Sequence, residues 1–164
     1  MMTVTVEVQL ADPGESVPTR QQFVAWARAA LGDLREDAEL SIRVVGETES
    51  GDLNQRFRGK QGPTNVLSFP AEIPAEVPVD LIGDIVICRS VVEREAAEQG
   101  KPVESHWAHM VVHGTLHLLG HDHNTTDDAK AMENLEVQIL RRLGYADPYV
   151  AVDPGSTSAQ APVR

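Results

Sequence analysis

All six histidines of the chain fall between residues 106 and 123, in the stretch HWAHMVVHGTLHLLGHDH. Imidazole holds transition metals and moves protons near neutral pH, so its confinement to one segment points to one site. Residues four apart on an α-helix share a face on adjacent turns. His109, His113 and His117 have that spacing, and His113 and His117 can converge on a single ion. Gly120 follows, where a left-handed glycine would stop the helix and turn the chain back. Such a turn lets His123 supply a third nitrogen, with His121 beside the turn as the alternative. Three neutral imidazoles on a tetrahedral ion leave one position for water, which is the plan of a hydrolytic site.

The spacing H-x-x-x-H-x-x-G-x-x-H is that of metzincin peptidases, with one departure. Where those enzymes carry a glutamate as general base, this chain has Gly114. The missing carboxylate argues against a zinc peptidase. His106 reads as a structural histidine on or near the surface. His109 is a candidate substrate contact or a packing residue. Asp122, next to His123, is a candidate base through water or an orienting partner for that ring, and equally a turn residue satisfying backbone amides. Cys88, the single cysteine, reads as core, and Asp84 as a strand residue beside the cleft or a buried cap.

The elements that must carry these residues are legible in outline. The chain has 164 residues, of which 41% are hydrophobic, enough for one domain with a core. Residues 1–150 are expected to form that domain and 151–164 a disordered tail. Strands are predicted over 4–10, 39–46, 65–70 and 81–88. The first helix is capped by Thr19 with Gln22 completing a capping box, and buries Phe23, Trp26, Ala27, Ala30 and Leu31. Further helices are expected over 48–59, 89–99 and 103–119, and from a cap at Thr125 or Thr126 to near Gly144. The Pro-rich run 70–80 is a connector, possible as a hairpin loop. The fold class is therefore α+β: a small mixed sheet of about four strands packed with helices, the metal site on a long helix and the turn after it.

The formal net charge is −11 and the pI about 4.9, which argues against broad nucleic-acid binding. The charge is uneven. NQRFRGKQGPTN (54–65) carries Arg56, Arg58 and Lys60 and no acid, a strip able to steer a phosphate. Guanidinium is fit for phosphate because its planar fork donates paired hydrogen bonds and stays charged. Arg58 is thus a candidate clamp, with Lys60 and Asn65 as candidate phosphate or sugar contacts. The strand-like start, the lack of a long apolar run and the lone cysteine predict a cytoplasmic protein with no membrane partner. Oligomeric state is not encoded in any of these features.

Three motifs in order, RGKQGPTNVLSFP (58–70), IGDIVICRSVVEREA (82–96) and HMVVHGTLHLLGHDH (109–123), resemble the YbeY family of endoribonucleases and ribosomal RNA maturation factors. The resemblance runs from about residue 3 through LGYADPY (143–149). It implies a metal motif on His113, His117 and His123 and one Zn2+ ion, although three imidazoles also suit nickel, copper or cobalt. It implies a single-strand-specific metallo-endoribonuclease acting on the 3′ end of 16S ribosomal RNA and in late ribosome quality control. Its partners would be single-stranded and ribosomal RNA and the ribosome or small-subunit proteins. It places the arginine important for activity on Arg58. Two rival readings remain: a metal-stabilised ribosome-assembly module with weak or no catalysis, and the zinc peptidase that Gly114 disfavours.

Overall fold

Alternating apolar residues in VTVEVQL and near-continuous ones in LIGDIVIC mark a one-sided edge strand and a strand covered on both faces. The computed structural model, which describes residues 3–32, 37–74, 76, 80–122 and 124–150, bears this out. The expectation for the tail 151–164 and the ring of His123 both lie outside the described residues. Four strands form, β1 (Val4–Leu10), β2 (Ala38–Val45), β3 (Val66–Pro70) and β4 (Leu81–Cys88). Their order is β1-β2-β4-β3, with β1, β2 and β4 parallel and β3 antiparallel to β4. Strands β3 and β4 on either side of the Pro-rich run thus pair as the arms of a hairpin. β4 lies inside the sheet, sending Ile85 and Ile87 into the larger core and Val86 and Cys88 into a smaller one on the opposite face.

Five helices complete the α+β fold: α1 (Arg20–Leu31), α2 (Glu47–Arg58), α3 (Arg89–Gln99), α4 (Val103–Leu118) and α5 (Thr126–Arg142). The capping box at Thr19 forms as the sequence predicts, with the Thr19 hydroxyl accepting from Gln22 N and Gln22 accepting from Thr19 N. Of the two candidate caps for α5, Thr125 is the one used. The large face of the sheet is covered by α1 and α4, whose Phe23 and Trp107 rings meet edge to face at 6.2 Å. Helix α4 is central, touching α1, α3, α5, β3 and β4. Among the described residues no helix is long and apolar enough to cross a membrane.

One contact sets how closely α4 lies on the sheet. At Gly83 of β4 the backbone has φ +149°, and an added Cβ would stand 2.4 Å from the Phe69 carbonyl oxygen and 2.6 Å from Leu118 Cδ2. Only glycine lets the strand bend there with the end of α4 against it. Gly83→Ala is expected to cost about 1–3 kcal/mol through overpacking and backbone strain. Urea unfolding should show a lower midpoint at unchanged slope; a wild-type midpoint would remove this contact from the packing account.

Candidate metal centre

Helix α4 is apolar on nearly all sides because it is enclosed by neighbours. Between His106 and Leu118 only two residues are not buried, His113 and His117. They form a window, one turn apart, in the otherwise covered middle and end of the helix. Their rings are 4.6 Å apart and their Nε2 atoms 3.2 Å apart. Two nitrogens bonded at about 2.0–2.1 Å to one tetrahedral ion would be separated by roughly 3.3 Å, so the pair fits a shared ion. The helix then stops as expected: Gly120 takes φ +97°, Gly120 N donates to His117 O at 3.0 Å, and His121 N to Leu116 O at 3.1 Å. This pair of bonds is the Schellman arrangement that turns the chain sharply.

Beneath the window lies a residue the sequence reading did not single out. Glu136 of α5 is 0% exposed. Its Oε2 accepts from His113 Nδ1 at 2.9 Å, and its Oε1 lies 2.5 Å from His109 Nε2 and accepts from the Tyr149 hydroxyl. Burial works against the carboxylate's charge, but hydrogen bonds from His109 and His113 and their proximity outweigh it and hold the carboxyl well below its usual range. A carboxylate only accepts, so His113 Nδ1 carries the proton and the Nε2 lone pair points out through the window. This carboxylate–imidazole pairing is how metal-binding histidines are oriented. The signal for Glu136 was present in the sequence: it occupies the core stripe Met132, Glu136, Ile139, Leu140 of α5, where a carboxylate needs a partner.

His109, one turn before His113, is buried, and its Nε2 is committed to Glu136 and within 3.2 Å of the Tyr149 hydroxyl. Burial pulls its pKa down, opposed by Glu136, which suits a neutral ring. His109, His113 and Glu136 bring ligand-type atoms within 4.8 Å of one another, a group that could hold a metal ion. His106 corrects an expectation. It is 3% exposed, not at the surface, because Glu95 on α3 meets its Nε2 at 2.9 Å and satisfies it inside. Asn65 Nδ2 donates to the same Glu95 oxygen at 3.0 Å. Asn65, Glu95, Lys101, His106, His109, His113 and Tyr149 help line a cleft of about 190 Å³ that opens beside the window. Asn65 therefore reaches the site, and Lys101, unremarked in the sequence, adds a cation that donates to Pro148 O at 2.5 Å.

The remaining candidates are more peripheral. Arg58 and Lys60 are exposed at the C-terminal end of α2 and beyond it, outside the lining of this cleft. Asp122 is half-buried and accepts from Asn124 N at 3.4 Å, a turn contact. Asp84 accepts from Ser41 Oγ at 2.5 Å and alternates with Ile85, which meets α4, so it belongs to the opposite face of the sheet. Cys88 is core, as expected.

Gly114 explains itself. A Cβ there would lie 2.9 Å from Ile85 Cγ2 and 3.2 Å from Ser68 Oγ, while Ser68 Oγ donates to the Gly114 carbonyl at 3.1 Å. The position where a metzincin carries its base faces the sheet here, with no room for a side chain.

The sequence model of the family described as Endoribonuclease YbeY matches residues 10–144. A solution structure from Thermotoga maritima, of the protein TM1509 described as VT1, a NESGC target protein, is similar over 93% of this chain and 99% of that one. The identity is 26% and the TM-score 0.55.

Glu136→Gln keeps the volume but leaves one acceptor oxygen, and an NH2, where His109, His113 and Tyr149 share two carboxylate oxygens. Metal affinity, measured by competition with a chromogenic chelator, is expected to fall about 10–100-fold. Unchanged affinity would show that Glu136 does not orient the site.

Proposed function

The chain belongs to the YbeY family of endoribonucleases, and from that membership we propose that it cuts single-stranded RNA in ribosomal RNA processing. The step in question is maturation of the 16S 3′ end, with a role in late ribosome quality control and residence in the cytoplasm. One divalent ion, Zn2+ by family likeness, is held by His113, His117 and His123. The observation that carries this reading is the pair of Nε2 atoms 3.2 Å apart on the two residues between His106 and Leu118 that are not buried. When bound, such an ion supplies a water acidic enough to ionise near neutral pH and a positive charge beside a phosphoryl oxygen.

The chain's own residues do the rest. Glu136 keeps the proton on His113 Nδ1 and thereby the lone pair on Nε2. Arg58, exposed and without a hydrogen-bond partner among the described residues, donates to the scissile phosphate and offsets its growing charge. Asp122 is the candidate to take a proton from the attacking water. Asn65 and Lys60 are sugar or phosphate contacts, and the buried His109 acts on substrate only through Glu136 and the cleft wall. The net charge of −11 favours one rival, an assembly module whose RNA cleavage depends on the ribosome. The peptidase rival has no such support, since Gly114 is wedged against Ile85 and Ser68.

Protein purified without a histidine tag should carry one metal per chain and cut single-stranded RNA but not unstructured peptide, and a chelator should stop cleavage. His113→Ala or His117→Ala should lose the metal by elemental analysis; full retention would overturn the ligand assignment. Arg58→Ala should keep fold and metal and cut about 100-fold more slowly or worse. An unchanged rate would take Arg58 out of the mechanism, and cleavage confined to ribosomal particles would favour the assembly module.

A further inference from the structure

Phe57 is the most exposed large apolar side chain among the described residues, at 58%. It follows Leu53 by one helical turn, so the inward stripe of α2 runs past the end of its own cover. What holds the ring is Phe69 of β3, edge to face at 5.1 Å and 70°. One aromatic is thus fixed by another while much of its surface stays in water. Its neighbours in sequence are Arg56, Arg58 and Lys60, all exposed, in a stretch (54–65) without an acid on a chain of net charge −11.

The scaffold under this group is pinned. Asn54 Nδ2 donates to Gly62 O at 2.9 Å, Ser50 Oγ donates to Thr64 O at 3.0 Å, and Thr64 N donates back to Ser50 Oγ at 3.0 Å. Gly59, with φ +67°, ends α2 and starts the loop. A fixed ring face flanked by cations is the combination that binds single strands: bases stack on the aromatic and phosphates meet the charges. We propose that Phe57 is a stacking platform for one base of the single-stranded RNA substrate, with Arg56 and Lys60 on the neighbouring phosphates. This rests on the endoribonuclease reading and adds to it the path of the strand.

The place of the platform follows from β3, the edge strand. Ser68 bonds the Gly114 carbonyl, next to His113, on one face of the sheet; Phe69, the next residue, meets Phe57 on the other. β3 therefore has the platform on one face and helix α4, with His113 beside Gly114, on the other. The stacked base therefore flanks the cleavage site, and RNA reaches the window by crossing the edge of β3. The acidic remainder of the surface repels a polyanion, so this strip is the favoured entrance.

The test uses the full chain with metal chelated, so that RNA binds without being cut. Single-stranded RNA carrying 2-aminopurine at successive positions should show quenching at one register. Phe57→Ala and Phe57→Leu should weaken binding about 5- to 150-fold and abolish that quenching, while Phe57→Trp restores both; leucine tests whether a ring face or mere apolar bulk is needed. Arg56→Ala should lower the salt dependence of binding. Wild-type affinity and quenching in Phe57→Ala, with RNA cleavage by the metal-loaded protein intact, would overturn the platform and leave the nuclease reading standing. A wild-type protein that neither binds nor cuts single-stranded RNA would sink both. Dependence on Phe57 for binding a ribosomal protein, and not RNA, would also overturn the proposal.

Discussion

A carboxylate sealed in a helical core is the constraint on which the site depends. Glu136 has no exposed surface, and a buried charge persists only when its lone pairs are satisfied. Its partners are two rings of α4 and the hydroxyl of Tyr149, beyond the end of α5. The bonds therefore fix three things at once: the rotation of α5 against α4, the docking of the segment after α5, and the tautomer of His113. Loss of a partner from such a group typically costs about 3–5 kcal/mol, so the orientation of the His113 ring is tied to the stability of the helix pair. His113 Nε2 is aimed by the same interaction that closes the core.

The sheet side of α4 is shaped by the opposite requirement, which is close approach. Gly83 lets β4 bend under Leu118, and Gly114 sits directly on Ile85 and Ser68. With one side pressed to the sheet and the others covered by α1, α3 and α5, solvent reaches the middle of α4 only at His113 and His117. That geometry departs from the metzincin plan with the same histidine spacing: the residue after His113 is pressed against Ile85 and Ser68, with no room for a side chain. The net charge of −11 contrasts with the end of α2, where Arg56, Arg58 and Lys60 are exposed in a stretch without an acid.

Much of this was legible in the sequence because the relevant signals are local. Periodicity and end signals marked the nine elements among the described residues, including the Thr19 capping box and the Gly120 stop, and the α+β class followed from their order. The spacing of His113 and His117 is a property of one helix, and it brings their Nε2 atoms to within 3.2 Å of each other. What stayed hidden depends on contacts between elements far apart in the chain. His106 was placed at the surface because nothing near it in sequence names Glu95 as its partner. Glu136 and Tyr149 come to His113 only through the packing of α5 and the segment after it on α4. Asn65 and Lys101 share a cleft although 36 residues apart, for the same reason.

The most direct measurement is X-ray absorption at the edge of the bound metal, comparing wild-type protein with His117→Ala. An ion on the exposed Nε2 pair gives an imidazole-rich shell at about 2.0–2.1 Å, and the variant loses one imidazole from it or loses the metal altogether. A shell unchanged by His117→Ala, containing a carboxylate oxygen alongside His109, would place the ion in the buried Glu136 cluster and contradict the window as the seat of the chemistry.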